Sequence, residues 1–250
     1  MRTTLPMKIA IAQVKPVKGN IAANIERHER AIHQAISHRT DAIFFPELSI
    51  TGYEPELAGE LATTQNDSRF DSFQQISDTN SITIGLGVPT RNTVGIQIST
   101  VVFQPGQPRQ AYAKQRLHPD ELPYFIPGRT QLIVKVGNCT IAPAICYESL
   151  QRDHPLTAHR LGAGIYVASV AKSQTGVANA MAHYPRIAAQ FAMPVLMSNC
   201  VGSCDNFVSA GQSAIWTSDG KLAGQLDEVS EGLLLVDTDT ELVSEERLYQ

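Results

Sequence analysis

The chain lacks the features that define several specialised classes of protein. Only 4 of its 250 residues are cysteines, and lysine and arginine nowhere form a run longer than two. Few cysteines without a regular spacing argue against a disulfide-stabilised secreted domain, and the absence of a basic stripe argues against nucleic-acid binding. We therefore expect reduced thiols in a cytoplasmic protein that has no nucleic-acid partner.

Long hydrophobic runs are also absent. No stretch reaches the ~18–20 uncharged apolar residues that a membrane helix needs. The apolar run near the N-terminus is interrupted by Lys8, Gln13 and Lys15, so it does not have the pattern of a signal peptide. These observations predict a protein without a membrane partner.

The overall composition is that of a globular protein. Hydrophobic residues make up 43% of the chain, charged residues 18%, and the net charge is −4. A chain of this length can bury a substantial core. Because there is no internal repeat and no linker, we predict one domain over residues 1–250, in which residues 1–6 are a loose N-terminal extension.

The hydrophobic pattern alternates between strands and helices. Residues 7–14 and 41–45 are predicted strands, and Asn20 caps a predicted helix that runs to about residue 38. Further strands are predicted at 81–88, 94–103, 110–114, 133–136, 140–145, 164–169, 195–199, 212–216 and 232–236, with helices at 69–78, 151–161 and 178–191. This order indicates an α/β domain with a mixed sheet or two sheets covered by helices.

Three residues whose side chains could take part in catalysis follow directly after predicted strands. They are Glu47, Lys114 and Cys146. In α/β sheets the ends of strands open onto the ligand crevice, and a fold can bring distant strand ends together. Taken singly, each residue also has an ordinary structural interpretation: a core cysteine, a helix-capping glutamate and a solvated lysine.

The segments around these residues carry a family resemblance. Residues 45–53 (FPELSITGY) resemble the first signature of the nitrilase, or carbon–nitrogen hydrolase, superfamily. Its other landmarks follow in family order, namely 112–118 (YAKQRLH), Glu121 with 125–128 (FIPG), 144–148 (AICYE), 186–188 (RIA), 198–202 (SNCVG) and 211–213 (GQS). The resemblance spans nearly the whole chain, and it is specific because the landmarks come in family order.

The resemblance implies a fold and a mechanism. The fold is a four-layer α-β-β-α sandwich with mixed sheets, and the site is a Glu47-Lys114-Cys146 triad supported by Glu121. The backbone N–H of Tyr147 is the expected second donor to the oxyanion. A free thiol has a pKa near ~8.5, so it needs a base and a positive neighbour, and we expect a partly ionised Cys146.

The resemblance also implies partners. The family commonly forms homodimers or higher homo-oligomers through helices such as those predicted at 151–161 and 178–191. The expected substrate is a small linear amide or a carbamoyl compound. Tyr147 stands where true nitrilases have tryptophan, which favours an amide over a nitrile. The chemistry requires no metal and no organic cofactor.

Departures from the family pattern concern the substrate pocket. Glu148 stands where many amidases have aspartate, and residues 168–173 (ASVAKS) replace the usual Asn-Trp-Pro element. Candidate pocket residues are Tyr53, His118, Glu148, Ser169 and Lys172. The identity of the substrate is left open by these departures.

Other interpretations compete with an amidase. An acyl- or amidotransferase would pass the acyl group to an amine. A binding protein on the same fold would have no catalytic activity. A glycosidase using the pair Glu47 and Glu121 leaves Cys146 and Lys114 without a role. Cys200 and Cys204 lack the further ligands of a zinc site, so we expect one buried cysteine and one loop cysteine.

Overall fold

Short apolar runs of the sequence form strands whose residues are buried on both faces. The computed structural model describes residues 7–248, and the predicted extension at 1–6 lies outside this range. In β-strands that are covered on both sides, near-continuous hydrophobic residues replace the alternating pattern. The first strand, KIAIAQ, and the strand IYVASV at 165–170 are of this kind.

Helices and strands alternate along the described residues as the hydrophobic pattern predicts. In order they are β1 (Lys8–Gln13), α1 (Ile21–Ser37), β2 (Ala42–Phe44), α2 (Ala58–Leu61), α3 (Asp71–Asn80), β3 (Thr83–Arg91), β4 (Ile96–Phe103), β5 (Gln110–Ala113), β6 (Val134–Val136), β7 (Cys139–Ile145), α4 (Asp153–Arg160), β8 (Ile165–Val170), α5 (Gln174–Phe191), β9 (Val195–Asn199), β10 (Val201–Cys204), β11 (Phe207–Ala210), β12 (Ala214–Trp216), β13 (Leu222–Gln225), β14 (Gly232–Asp237) and β15 (Val243–Arg247).

Two large mixed sheets form the centre of the described part of the chain. One has the strand order β15-β14-β1-β2-β3-β4-β5, and the other has the order β13-β12-β9-β8-β7-β6. Strands β1, β2 and β3 are parallel in the first sheet, and β7, β8 and β9 are parallel in the second. Such parallel neighbours require crossover connections, which α1, α4 and α5 help to supply.

Three hydrophobic clusters define the layers. The central cluster joins residues of the two sheets, such as Ile11 and Phe44 from the first and Val167 and Leu196 from the second. A second cluster packs α1 and α3 on the outer face of the first sheet, and a third packs α4 and α5 on the outer face of the second. The predicted four-layer α-β-β-α sandwich is therefore confirmed.

The boundaries of several elements differ from the prediction. Helix α4 begins only at Asp153 because residues Cys146–Leu150 form a separate 3-10 helix. Helix α5 begins earlier than expected, at Gln174, because the Ser173 side chain accepts a hydrogen bond from the N–H of Gly176.

Four short strands were missing from the prediction. The hairpin of β10 and β11 and the edge strands β13 and β15 were not expected from the hydrophobic pattern. These strands span only four or five residues each, and most of their positions are not buried. Their local sequence therefore carries little period-2 signal.

Candidate active site

The ends of β2 and β5 and the 3-10 helix Pro119–Glu121 bring Lys114 between two glutamates. Its Nζ lies 2.7 Å from Glu47 Oε1 and 2.6 Å from Glu121 Oε1, and all three side chains are at most 1% exposed. Burial acts to lower the pKa of Lys114, but the two carboxylates outweigh burial and hold this pKa above its ordinary value. The lysine is therefore a fixed cation.

Close backbone packing positions the Glu47 segment. Gly87 in β3 lies directly beneath it, and a Cβ atom at this position would be 2.1 Å from Pro46 O and 2.4 Å from Leu48 N. Only glycine allows an approach of this kind. Gly87 therefore determines how near to the sheet Glu47 lies.

Helix α1 holds the other side of the same segment. The Asn24 side chain donates a 2.9 Å hydrogen bond to Ile50 O, and His28 Nε2 lies 2.9 Å from Ser49 Oγ. Burial lowers the pKa of His28 to about 4, so its imidazole is neutral at physiological pH. The turn that carries Glu47 is thus held from the helix layer and from the sheet.

Glu121 is oriented by three donors. Besides Lys114, Tyr53 donates from its hydroxyl to Oε1 at 2.9 Å, and the backbone N–H of His118 donates to Oε2 at 2.8 Å. The following chain returns to Lys114, because the Gly128 N–H donates to Lys114 O at 2.7 Å. The second glutamate therefore positions the lysine.

Cys146 lies at the sharp turn after β7. Its φ of 44° is in the left-handed region, which costs a non-glycine residue ~1–3 kcal/mol. It opens the 3-10 helix Cys146–Leu150, in which Tyr147 follows it directly. The first N–H groups of a helix have no acceptor within it, so the Tyr147 N–H is suited to receive an oxyanion.

The surroundings of the Cys146 thiol favour its protonated form. Burial raises its pKa to about 11, and the charge of Glu47 adds to this effect, while Lys172 and Lys114 oppose it. The expectation of a partly ionised thiol is therefore wrong, because burial outweighs the two cations. The thiol points toward Ala171 O at 3.7 Å.

Glu47 is suited to be the base for this thiol. Burial raises its pKa to about 7, and Lys114 only partly opposes the rise. Its Oε2 is buried and has no hydrogen-bond partner among the described residues, and the Cys146 thiol is near enough to lower the pKa of Glu47. A carboxylate with a pKa near neutrality can both take up and release a proton.

Two residues expected in the substrate pocket lie elsewhere. Glu148 is fully buried, where it accepts hydrogen bonds from the Tyr112 hydroxyl at 2.7 Å and the N–H groups of Gln115 and Ile145 at 2.6 and 2.7 Å. Ser169 is buried within β8. The structure thus corrects both expectations: Glu148 joins the strand ends that carry Lys114 and Cys146.

A cavity of about 490 Å³ opens above Cys146. The expected residues Tyr53, His118, Tyr147 and Lys172 line it, together with Glu121. Sequence reasoning missed other lining residues, including Ser173, Gly176, Asp205, Asn206 and Phe207. The last three belong to the β10–β11 hairpin, whose one sequence signal is the Asp205-Asn206 turn pair.

The remaining cysteine pair is not a metal site in the described residues. Cys200 and Cys204 are both buried, with their Sγ atoms 3.6 Å apart, so the expected loop cysteine was wrong. Within residues 7–248 no group of three or more metal-ligating side chains is found.

No helix in the same range has the length and hydrophobicity that crossing a membrane would require.

Sequence comparison identifies the family. The profile described as Carbon-nitrogen hydrolase matches residues 8–247, so the chain belongs to the carbon–nitrogen hydrolase family. This result confirms the resemblance to the nitrilase superfamily.

Curated relatives and solved structures are similar over most of this chain. Glutamine-dependent NAD(+) synthetases of Thermotoga maritima and Acinetobacter baylyi are 25% and 28% identical, over 93% and 94% of this chain and 42% and 44% of their own lengths. The chain thus spans less than half of these relatives. An amidase from Nesterenkonia sp. AN1, of the nitrilase superfamily, has a TM-score of 0.84 at 20% identity, covering 95% of this chain and 93% of its own.

Proposed function

We propose that the protein hydrolyses the carbon–nitrogen bond of a small amide through an acyl-thioester on Cys146. The observation that supports this most directly is that Glu47 lies near the Cys146 thiol, with one oxygen bound to Lys114 and the other, Oε2, buried and without a partner among the described residues. This arrangement fits a base on one side of the nucleophile and a fixed cation next to it.

The proposed first half-reaction moves one proton and forms one bond. Because the thiol has the higher pKa, proton transfer from Sγ to Glu47 accompanies attack of the sulfur on the carbonyl carbon. The resulting oxyanion accepts hydrogen bonds from Lys114 Nζ and the Tyr147 N–H. When the intermediate collapses, Glu47 returns the proton to the departing ammonia or amine.

The second half-reaction uses the same carboxylate as a base. Glu47 removes a proton from a water molecule that attacks the thioester carbonyl. Collapse of this second intermediate releases the carboxylic acid and restores the Cys146 thiol. Glu121 keeps Lys114 in place throughout, because it is bound to Tyr53 and to the His118 N–H.

The related structures support an amide as the substrate. The amidase from Nesterenkonia sp. AN1 has been observed in complex with butyramide, and with the acetamide moiety of fluoroacetamide on its active-site cysteine. The cavity of about 490 Å³ has room for a small amide of this kind.

Ammonia release from a panel of amides, carbamoyl amino acids and nitriles tests this proposal. We expect turnover of amides, loss of turnover in Cys146→Ala, and unchanged turnover in Cys139→Ala, which alters a cysteine outside the site. Turnover of nitriles alone, or near wild-type activity of Cys146→Ala, would overturn the proposal.

A second candidate is a nitrogen-transfer role. The curated relatives are glutamine-dependent, and this chain matches less than half of each. In that case glutamine would be the preferred amide, and the ammonia would serve a synthetase. Glutamine outperforming all other amides in the panel would favour this candidate. Faster thioester breakdown on addition of an amine would instead favour transfer of the acyl group.

A further inference from the structure

Lys172 is a buried cation at the nucleophile that the proposed mechanism does not use. It follows β8 and is only 5% exposed, yet it lines the same cavity as Cys146. Among residues 7–248 its Nζ has no hydrogen-bond and no ion-pair partner. Burial opposes the charge of Lys172, but Cys146, Tyr184 and Glu47 hold its pKa above the ordinary value, so it stays a cation in the cavity.

The fold holds this residue firmly in place. Its backbone N–H donates to Asn199 Oδ1 at 2.9 Å, and its carbonyl accepts from Ala210 N at 2.9 Å and Ser209 Oγ at 3.1 Å. The stem of the side chain passes over Gly176, where a Cβ atom would lie 3.1 Å from Lys172 Cβ. The backbone of Lys172 and the first carbons of its side chain are therefore held in place.

Helix α5 does not balance the positive charge of the Lys172 ammonium. Ser173 caps this helix, so Lys172 lies immediately before its N-terminus, and Ser173 and Gly176 line the cavity beside it. The N-terminus of a helix is the positive end of its dipole and disfavours a nearby cation. Lys172 and the N-terminus of the helix together create a positive electrostatic potential, which favours the binding of an anion.

No salt bridge within residues 7–248 includes Lys172, although Glu47 favours its charge from a distance. Lys114 already binds both Glu47 and Glu121. The remaining carboxylates on the cavity wall, Glu56, Asp120 and Asp205, are exposed at its rim. Solvent and salt screen exposed charges far more than buried ones. An anionic group of the ligand is the partner that the cavity lacks.

We propose that Lys172 binds a carboxylate on the acyl portion of the substrate, so that the protein prefers amides of short dicarboxylic acids over uncharged amides. This inference deepens the proposed function and rests on it. Lys172 and Cys146 line one cavity of about 490 Å³, so the carboxylate and the amide must belong to one small molecule.

An alkylation experiment tests the charge preference without requiring turnover. Iodoacetate and iodoacetamide both transfer a two-carbon group to the Cys146 sulfur with loss of iodide, but only iodoacetate is anionic. Replacing Lys172 by methionine removes the charge and keeps much of the stem. We expect Lys172→Met to lower the iodoacetate-to-iodoacetamide rate ratio roughly 10-fold or more, and Lys172→Arg to retain most of it.

Lys221→Met is the matched control, because Lys221 is an exposed lysine whose side chain is 81% accessible. It should leave the ratio at its wild-type value. Because the Lys172 side chain makes no hydrogen bond or salt bridge within residues 7–248, Lys172→Met should stay folded and unfold near the wild-type temperature. An unchanged ratio in a folded Lys172→Met protein would overturn the proposal.

Turnover then tests the substrate class. Succinamate and butyramide have similar size and differ in charge, so their kcat/KM values isolate the carboxylate. Because Lys172 also lowers the pKa of Cys146, Lys172→Met should slow both substrates, but it should reduce kcat/KM for succinamate roughly 10- to 100-fold more than that for butyramide. Equal losses for both would mean that Lys172 stabilises the thiolate or oxyanion instead. If neither amide is hydrolysed but the alkylation ratio still depends on Lys172, the proposed function fails while the anion site stands.

Discussion

The contact between Gly87 and the Glu47 segment offers a sharp test of how the site is positioned. In Gly87→Ala the new Cβ would be 2.1 Å from Pro46 O, whereas ordinary contact begins at 3.4 Å. The two backbones must therefore separate by about 1.3 Å at that point. Both neighbours are backbone atoms, so no side-chain rotation can relieve the clash.

This displacement should reach Glu47, which lies between Pro46 and Leu48. A misplacement of ~1 Å can cost ~10²-fold in rate, so we expect kcat for amide hydrolysis to fall about 100-fold. Overpacking should lower the free energy of unfolding by ~1–3 kcal/mol, which leaves a folded protein to assay.

Steady-state kinetics and thermal unfolding, measured on the same samples, check this prediction. Gly59→Ala is the control, because a Cβ there has nothing within 4 Å. It should keep wild-type kcat. A folded Gly87→Ala protein with kcat near that of the wild type would refute the argument that this glycine positions Glu47.

Three further predictions concern the buried carboxylates of Glu47 and Glu148 and the buried imidazole of His28. Because the pKa of Glu47 is about 7, the rate of Cys146 alkylation by iodoacetamide should rise with pH through that value, and Glu47→Gln should abolish this step. Glu148→Gln should lower the free energy of unfolding by ~1–3 kcal/mol in urea titrations, since its amide nitrogen cannot accept from a backbone N–H. Burial lowers the pKa of His28 to about 4, so the unfolded chain binds more protons between pH 6.5 and 4 and stability falls as pH falls through this window. The loss should be about 3 kcal/mol, and His28→Gln should show a shallower pH dependence in urea unfolding.

Each of these expectations has a contrary outcome. A rise in alkylation that persists near pH 7 in Glu47→Gln would assign it to another group. Wild-type stability of Glu148→Gln would mean that its hydrogen bonds do not hold the strand ends together. An identical pH slope in His28→Gln would place the titrating group elsewhere.

Much of the fold follows from local sequence patterns. The run KIAIAQ and the cap at Asn20 predict β1 and α1 because burial and capping act over a few residues. The short edge strands β13 and β15 could not be predicted, since their stability comes from pairing with neighbours and not from their own pattern.

The candidate site, like the fold, could be predicted from the sequence only in part. Glu47, Lys114 and Cys146 could be selected because each follows a strand and lies in a family-like segment. The protonation of Cys146 and the place of Glu148 could not, because both depend on what surrounds the side chain in three dimensions. Lys172 was a pocket candidate by position, but its lack of a partner is visible only in the structure.

The central claim is that Cys146 carries the acyl group during turnover. Mass spectrometry of the protein quenched during amide hydrolysis, followed by peptide mapping, tests it directly. We expect an adduct with the mass of the acyl group on Cys146, and neither adduct nor ammonia release in Cys146→Ala. Sustained ammonia release by Cys146→Ala at the wild-type rate would contradict it.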